Sequence, residues 1–422
     1  MGPMVPEVAF SEYGKGMTTT DIYYDPYDFS IDADPYPIWK RLRDEAPVYH
    51  NERLGFYALS RYDDVLAGLL DSETYVSSHG ITLEMIDPEP LDIPMMIMMD
   101  PPSHTRLRKL VNRAFTPRAM DRLQDRIVKI CADLLDPVAG EPSFDFITQY
   151  AGIIPPTVIL ALVGFPEGHA AEFRQEIDTT MSIADGADPA DLQRKMLVTD
   201  GGEIDSAVFS MLPDLMAKRR AEPEDDLISA LVHSEIDDDD GHGRTLTDDE
   251  IVGFVQLISI AGAETVVRLL GFAAVELARH PDQLALLAAD PSLVAGAVEE
   301  TLRYEAPSPI QGRWVARDVE LHGTVIPRGA KLALLNASAD RDERHFPNPD
   351  HFDVRRDIDR HLGFGYGTHF CIGAALARLE GRIALEEVIK RMPAWEVDAA
   401  GIERIHTSTV RGYTHVPVSP AR

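Results

Sequence analysis

The sequence is poor in cysteine and in positive charge. Its 422 residues include two cysteines, Cys131 and Cys371, which lie far apart in the chain and cannot form a disulfide framework. Lysine and arginine number 40 against 70 aspartates and glutamates, for a net charge of -30. Because no excess positive charge exists to neutralise phosphates, this balance disfavours nucleic acid and anionic membranes as partners. We expect a reducing cytoplasm, with Cys131 in the core.

The N-terminus lacks a long apolar run. Residues 1–20 mix proline, glycine and acidic residues, without the apolar segment that a signal peptide or membrane anchor requires. We expect them to be a disordered leader. The overall apolar fraction of 45% is typical of a globular protein with a sizeable core. No linker or repeat divides the remainder, so we expect a single domain over residues 21–422.

Glycine is concentrated around one of the cysteines, in the segment 361–373 (HLGFGYGTHFCIG). Glycines allow turns of positive φ and close approach to a planar group. Apolar residues at helical spacing from 372 to 391 predict a helix that begins near Cys371. Its N-terminal amides would stabilise a thiolate, which is a soft ligand for iron, and a macrocycle would supply the other ligands. The alternative is a small buried apolar residue.

This cysteine belongs to a pattern of four residues at fixed spacing, Phe-x-x-Gly-x-x-x-Cys-x-Gly: Phe364, Gly367, Cys371 and Gly373. The pattern resembles the haem-binding signature of the cytochrome P450 family. The resemblance covers residues 21–422 and implies a mainly α fold with a small β-rich lobe. It also implies that Cys371 is the axial ligand of the iron in haem b. Phe364 would pack beside the sulfur, while Gly365 and Gly373 let the loop lie against the porphyrin.

A long helix is predicted upstream of this segment. Thr247 and Glu250 form a capping box, and no proline follows until after His280. About 33 residues would span roughly 50 Å. The helix is apolar nearly all round, so a membrane span competes with a buried central helix. Polar residues interrupt the apolar run and favour the buried helix: Gln256, Ser259, Glu264 and Arg268.

This helix contains the segment Ala261-Gly-Ala-Glu-Thr265. Gly262 costs about 1 kcal/mol in a helix interior, and Glu264 is costly to bury without a partner. Such costs are tolerated where function needs them. The segment resembles the oxygen-activation motif of the same family. Ala261 and Gly262 would then border the haem and leave a groove for a diatomic ligand, while Glu264 and Thr265 would move protons.

Two pairs of basic residues are candidates for binding carboxylates. His104 and Arg108 are four residues apart on one helix face, an arrangement that is usually a solvated surface. The resemblance implies that they hold one haem propionate. Arg313 resembles the arginine that holds the other propionate, together with His369. His361 is a weaker third candidate.

A basic segment interrupts this acidic chain. Residues 101–120 contain no aspartate or glutamate but several cations: Arg106, Lys109, Arg113 and Arg118. The local reversal of charge predicts a docking surface for a negatively charged electron donor. The chain has no region typical of a flavin or iron–sulfur protein. The resemblance therefore implies electrons from NAD(P)H, delivered by a reductase and a ferredoxin-type protein.

A Glu/Arg pair, Glu300 and Arg303, lies on another predicted helix. Such a pair is common on exposed faces, where it contributes little. The resemblance implies instead a buried pair that supports the cysteine segment. In relatives an arginine inside a Pro-x-x-Phe segment completes it. Here His351 occupies that position, so His351 is the expected third member.

The segment 77–99 has no regular period and contains several prolines and five methionines. It is either a methionine-rich core loop or a lid that adapts to apolar ligands, and the resemblance favours the lid. The predicted substrate-pocket residues come from this lid and from two other segments that the resemblance indicates: Met85, Met95, Met96, Met98, Ile310 and Val410.

Taken together, these motifs predict a haem-thiolate monooxygenase. It would insert one atom of O2 into a hydrophobic small molecule such as a lipid, sterol, terpenoid or polyketide. A non-catalytic haem protein that binds or senses a small molecule is the main alternative. A peroxide-driven haem enzyme and a helical scaffold without haem are two others.

Overall fold

The computed structural model describes residues 22–111, 117–184, 188, 191–192, 206–237, 243–407 and 409–421, without the side chains of residues 117–122 and 237. Its fold is mainly α with small β-sheets, as the sequence predicts. The expected leader at residues 1–20 lies outside the described residues. The expectation of one domain over residues 21–422 stays a prediction.

Helices account for about half of the described chain. In order they are α1 Phe29–Ala33, α2 Tyr36–Glu45, α3 Tyr62–Leu70, α4 Ser103–Val111, α5 Pro117–Leu135, α6 Ile154–Val163, α7 Ala170–Met181, α8 Leu212–Ala221, α9 Leu227–Val232, α10 Asp248–Arg279, α11 Pro281–Ala289, α12 Val294–Tyr304, α13 Asn336–Ala339 and α14 Ala374–Arg391. We call α10 the central helix and α14 the cysteine helix. Single turns of other helix types include Ile147–Ala151, a π-helix, and Met96–Met98, a 3₁₀-helix.

The strands are short and form several sheets. They are β1 Val48–Asn51, β2 Phe56–Leu59, β3 Tyr75–Val76, β4 Phe144–Asp145, β5 Glu235–Asp237, β6 Gly243–Thr245, β7 Gln311–Val315, β8 Val319–Leu321, β9 Thr324–Ile326, β10 Lys331–Leu334, β11 Trp395–Val397, β12 Glu403–His406, β13 Arg411–His415 and β14 Pro417–Pro420. The largest sheet has the order β1-β2-β10-β7-β3. It begins with an antiparallel hairpin whose turn contains Gly55 at φ +67°.

The central helix runs through the main hydrophobic core. The Thr247 hydroxyl accepts from the Glu250 amide (3.2 Å) and Glu250 accepts from the Thr247 amide (2.8 Å), so the predicted capping box is formed. By length and composition the helix could cross a membrane, but 78% of its most apolar window is buried inside the protein. Cys131 lies in the same core as a free, fully buried thiol, as expected.

Helix α6 packs closely against the central helix because Gly262 has no side chain. A Cβ at Gly262 would lie 2.7 Å from Cγ1 of Ile159. The cysteine helix packs on the same central helix, where a Cβ at Gly381 would lie 3.3 Å from Cδ2 of Leu269. These contacts bring the segment 261–265 opposite the loop that carries Cys371.

Candidate active site

A cavity of about 250 Å³ lies between the central helix and the cysteine loop, which we define as residues 361–373. Ala261, Gly262 and Thr265 line it on the side of the central helix, while Phe364 and Cys371 line it on the opposite side. Most of the remaining wall is aliphatic. The two segments that the sequence singles out therefore border one apolar cavity.

Glycines shape the cysteine loop. Gly365 and Gly367 have φ values of +65° and +68°, which side chains rarely tolerate. A Cβ at Gly367 would also lie 2.5 Å from the carbonyl oxygen of Leu69. The Cys371 amide donates to the Phe364 carbonyl (2.9 Å), which closes the loop. The following helix begins at Ala374, slightly later than the sequence predicts.

Burial raises the pKa of the Cys371 thiol, and the Gly373 amide and the Arg108 and Arg378 cations only partly oppose it. The protein surroundings by themselves therefore favour the neutral thiol. A thiolate at this position needs an additional positive charge at the sulfur, such as an iron ion.

Charged residues support the cysteine loop from behind. The Arg378 guanidinium lies 4.6 Å from the centroid of the Phe364 ring and donates to Glu299 (2.7 Å). His361 contacts the same carboxylate, with 3.2 Å between its Nε2 and Oε2 of Glu299. Because His361 forms this contact and does not line the cavity, its weaker candidacy as a propionate-binding residue is wrong.

Two histidines in the cavity wall have ring nitrogens without hydrogen-bond partners among the described residues. His104 and His369 line it, with ring centroids 4.4 Å apart. Both ring nitrogens of His104 and Nε2 of His369 are buried with no hydrogen-bond partner among the described residues. Burial lowers the pKa of His104 to about 4 and that of His369 to about 2, so both rings are neutral at pH 7.

Two arginines accompany these histidines. Arg108 lines the cavity and donates to the carbonyls of Thr368 (3.1 Å) and Phe370. Arg313 is not among the residues that line the cavity, but it lies close enough to His369 for its charge to help lower the pKa of that ring. It is 5% exposed and donates to the Gly312 carbonyl (2.7 Å) and to the Gln311 side chain, with no carboxylate contact among the described residues. Burial lowers the pKa of Arg313 to about 10. This part of the site suits an anionic ligand.

The two predicted proton-moving residues have different surroundings. Thr265 lines the cavity, and its hydroxyl donates to the Ala261 carbonyl (3.1 Å). Glu264 is 3% exposed and accepts from Arg268 at 2.8 and 2.6 Å. Arg268 also pairs with Asp178 of α7. The Glu264 carboxylate is therefore held in a buried ion-pair network and does not line the cavity.

A further buried ion cluster contains Glu300 and Arg303, which are both fully buried and 2.7 Å apart. The prediction that His351 is the third member is wrong, because its side chain is exposed and only its carbonyl contacts Arg303 (3.5 Å). Arg356 takes this place, donating to both Glu300 oxygens at 3.2 and 3.1 Å. Arg356 reaches the pair because the chain turns back after the Pro-x-x-Phe segment.

A family model for cytochrome P450 matches residues 56–399, which is most of the chain. The chain belongs to the cytochrome P450 family. Members of this family contain a haem iron, use O2 and act as monooxygenases on hydrophobic substrates with the help of redox partners. The protein is accordingly an oxidoreductase.

Relatives match over nearly their whole length. The putative cytochrome P450 123 of Mycobacterium tuberculosis is 40% identical over 94% of this chain and 97% of that protein. The 6-deoxyerythronolide B hydroxylase of Saccharopolyspora erythraea is 36% identical over 92% of this chain and 96% of that protein. Among solved structures, a mutant of P450 EryK in complex with erythromycin B superposes with a TM-score of 0.83 at 32% identity, covering 94% of this chain and 98% of that one.

The residues around the cavity fit the haem that this P450 family carries. A haem would offer an iron to Cys371 and two propionates to the arginines and to the histidine ring nitrogens that lack partners among the described residues. The wall beside the central helix is apolar, as a porphyrin face requires. The unsatisfied nitrogens of His104 and the carboxylate-free Arg313 are therefore the features expected of residues that bind a haem.

The predicted substrate-pocket residues are only partly at the cavity. Met96 lines it, in the single turn at the end of the irregular segment. Met85, Met95 and Met98 do not line it, since Met85 and Met98 are packed inside the loop region. These three assignments are therefore wrong for this cavity.

Ile310 and Val410 are also wrong as cavity residues, because they line a separate small pocket of about 20 Å³. Gln311, the next residue after Ile310, does line the main cavity. The reason is the extended backbone at the start of β7, where consecutive side chains point to opposite sides.

Sequence reasoning missed Arg356, which completes the buried ion cluster, and Ile159, which lines the cavity from a segment without a motif. Gln311 lies in the segment 310–312 that the resemblance indicated for the pocket, and it does line the cavity. Glu380 is a buried acid at the cavity wall. Glu380 could have been noticed, because it lies four residues after Leu376 and three before Ile383, on the apolar face of the predicted cysteine helix.

Proposed function

We propose that this P450 inserts one oxygen atom from O2 into a hydrophobic small molecule, with Cys371 as the axial ligand of haem b. The observation that carries the proposal is the position of Cys371, directly across one apolar cavity from the segment 261–265. When bound there, haem supplies the activation of O2 that no amino-acid side chain provides.

The haem-binding residues follow from the charges at the cavity end. Arg108 and Arg313 supply positive charge for the two propionates, and His104 and His369 supply ring N–H donors. Phe364 covers the sulfur, with Arg378 on its outer face. Gly365 and Gly373 carry no side chain that would stand between the loop and the ring, so the loop can lie against it.

Thr265 orients a proton at the reacting oxygen. Its hydroxyl borders the cavity and uses its own hydrogen for the Ala261 carbonyl, so its lone pairs remain available for a water molecule. Gly262 adds no side chain to this wall of the cavity, and Ile159 of α6 occupies the space that a Cβ of residue 262 would take. Glu264 acts through the ion pair with Arg268 as a positioning residue for this stretch of helix.

The substrate is a large apolar compound, of which a polyketide-derived ring is the first choice. Support comes from the aliphatic wall, where Ile97, Ile159, Leu257 and Leu302 lie, and from Met96, which adapts to varied shapes. Of the relatives described above, one is named a 6-deoxyerythronolide B hydroxylase and a mutant of another was solved in complex with erythromycin B. Lipids, sterols and terpenoids share the same chemistry and belong in the same screen.

Electrons come from NAD(P)H through a ferredoxin reductase and a ferredoxin, in the cytoplasm. The docking surface that we propose is the basic segment around α4. Lys109 is exposed on this helix and Arg106 is half-buried, while Arg113 lies outside the described residues. Because the protein as a whole is acidic, this patch would steer an acidic donor to the face nearest Cys371.

Difference spectroscopy tests the proposal. The purified, reduced protein with carbon monoxide should give the absorption band typical of thiolate-bound haem, and Cys371→Ala should abolish it. Candidate polyketides, sterols and fatty acids are then titrated for the spectral shift that follows displacement of water from the iron. A wild-type protein without the thiolate band, or a Cys371→Ala variant that keeps it, would refute the assignment.

A further inference from the structure

A buried carboxyl group contacts the start of the cysteine loop from behind. Asp340 follows α13, has no exposed surface, and its Oδ1 accepts from the Leu362 amide at 2.7 Å. The main-chain carbonyl of Asp340 accepts from Arg303 at 3.0 Å. Arg303 is paired with Glu300 in the buried ion cluster described above. Asp340 therefore joins that cluster to the first residues of the cysteine loop.

The backbone that Asp340 holds leads to the sulfur through one turn. The Leu362 carbonyl accepts from the Gly365 amide at 2.8 Å, which closes this turn. The carbonyl of Phe364, inside the turn, accepts from the Cys371 amide at 2.9 Å. A change at the carboxyl group of Asp340 is therefore transmitted to Cys371 through a short, hydrogen-bonded stretch of backbone.

The second oxygen of this carboxyl group is unsatisfied. Oδ2 of Asp340 is buried with no hydrogen-bond partner among the described residues. No cation in that part of the chain forms an ion pair with the group. Burying a carboxyl group with so few partners is costly, and such costs are tolerated at positions that function requires. A proton can add at Oδ2 while Oδ1 keeps its hydrogen bond to the Leu362 amide.

The charged groups nearest to Asp340 have carboxylates of their own. Arg303 is 2.7 Å from Glu300, and Nε2 of His361 is 3.2 Å from Glu299. Burial raises the pKa of Asp340 to about 7, and His361, Arg303 and the loop amides oppose this shift only in part. Near neutral pH the group is therefore divided between its neutral and ionised forms.

The groups that face Asp340 from α3 and from its own segment do not change charge in this range. Burial raises the pKa of Tyr62 to about 12, so this ring stays neutral. Asp342 has a lowered pKa because amide hydrogen bonds and Arg344 outweigh its burial, so it stays ionised. Arg341 has a raised pKa and stays charged, since nearby tyrosines and acids outweigh its burial.

We propose that Asp340 is a positioning residue for Cys371 whose ionisation lowers the reduction potential of the haem iron. This proposal rests on the proposed function, in which Cys371 is the iron ligand. A negative charge behind the loop stabilises the oxidised iron, which carries one more positive charge than the reduced iron. When the external donor adds an electron to the iron, ionised Asp340 takes up a proton from solvent at Oδ2. The neutral acid keeps the hydrogen bond to Leu362 without the charge.

The test is a potentiometric titration of haem-loaded wild type, Asp340→Asn and Asp359→Asn from about pH 6 to about pH 8. The wild-type potential should fall as the pH rises through 7. Asparagine has the shape of the neutral acid and cannot ionise, so Asp340→Asn should stay near the low-pH potential of wild type. Asp359 is exposed and lies two residues before the loop, so Asp359→Asn removes the same charge and should follow wild type. Haem propionates titrate in all three proteins. Equal curves for wild type and Asp340→Asn would overturn the proposal.

Infrared spectroscopy tests the same coupling in the wild type, without a variant that has to bind haem. The reduced-minus-oxidised spectrum at pH 7 should contain the C=O stretch of a protonated carboxyl group. Labelling aspartate with carbon-13 at its side-chain carboxyl should move this band to lower frequency, which separates it from glutamates and haem propionates. A spectrum in which the label moves no such band would overturn the proposal.

The carbon monoxide spectrum separates the two levels of the argument. A wild type without the thiolate band would refute the proposed function, and the proposal for Asp340 would fall with it. A wild type that has the thiolate band, but whose potential matches Asp340→Asn at every pH, would overturn the proposal for Asp340 alone.

Discussion

The buried cluster behind the cysteine loop gives the sharpest structural prediction, because the sequence and the structure name different third members. Arg356 donates to both oxygens of Glu300 and to the carbonyls of Pro347 (2.7 Å), Asn348 (3.1 Å) and His351 (2.7 Å). It therefore joins a fully buried carboxylate to three backbone carbonyls of one loop. His351 contributes only its backbone to this cluster.

Arg356→Ala should destabilise the protein by about 3–5 kcal/mol, the usual cost of removing one partner from a buried ion pair. Glu300 would keep Arg303 and the Asp353 amide (2.9 Å) as partners, so the lower half of that range is expected. His351→Ala removes an exposed side chain and should change stability by less than about 0.5 kcal/mol. Arg356→Lys cannot reproduce the forked contact and should resemble Arg356→Ala more than wild type.

Urea titration of the haem-loaded protein, followed both by far-ultraviolet circular dichroism and by haem absorption, measures the effect. Unfolding with a bound cofactor need not be two-state, so the comparison uses midpoints at one protein concentration. The loss of haem absorption should come first in Arg356→Ala, since the cluster supports the loop that carries Cys371. A His351→Ala variant as unstable as Arg356→Ala would refute this assignment.

Four further outcomes are expected. Thr265→Ala should still consume O2 and electrons but release hydrogen peroxide in place of product, and unchanged coupling would contradict the proposed role of the Thr265 hydroxyl. Gly262→Val should lower the unfolding midpoint by the equivalent of about 1–3 kcal/mol, because the new Cβ would overlap Ile159. Adding Ile159→Ala should recover part of the loss. A Gly262→Val variant as stable as wild type would contradict the close packing of α6 on the central helix. Burial raises the pKa of Glu380 to about 8 in the folded state, against about 4.5 in the unfolded state. The contribution of this group to stability is therefore full below pH 4.5 and falls by about 5 kcal/mol as the pH rises through 8. Glu380→Gln should flatten that part of the curve of urea midpoint against pH. Lys109→Glu should slow reduction by an acidic ferredoxin at low salt and have little effect at high salt, measured by stopped flow; a salt-independent rate would contradict the docking surface.

Local patterns predicted the parts of this molecule that local physics determines. The capping box at Thr247, the long buried helix after it and the glycine turns before Cys371 each depend on residues within a few positions of one another. Proline, glycine and helical spacing carry that information in a single sequence. The family resemblance then placed Thr265 and Cys371 on one cavity, which no local pattern could do.

The remaining errors concern contacts made across the fold. Arg356 was missed because a turn after the Pro-x-x-Phe segment brings it back onto Glu300, and no local pattern encodes that turn. Ile310 was misplaced because a shift of one residue in an extended strand reverses the direction of the side chain. The ion pair of Glu264 was also not predicted, but it is a local contact. Arg268 lies four residues later on the same helix, so the i,i+4 spacing could have been recognised.

The ion pair of Glu264 changes what its motif means in this protein. Arg268 joins the central helix to α7 through Asp178 and to β13 through the Tyr413 carbonyl (2.7 Å), so it connects three elements in the core. To carry a proton into the cavity, Glu264 would have to leave this network and expose a buried guanidinium, which costs several kcal/mol. The motif therefore contributes its threonine to the cavity wall, while its glutamate helps to hold the central helix to α7 and β13 through Arg268.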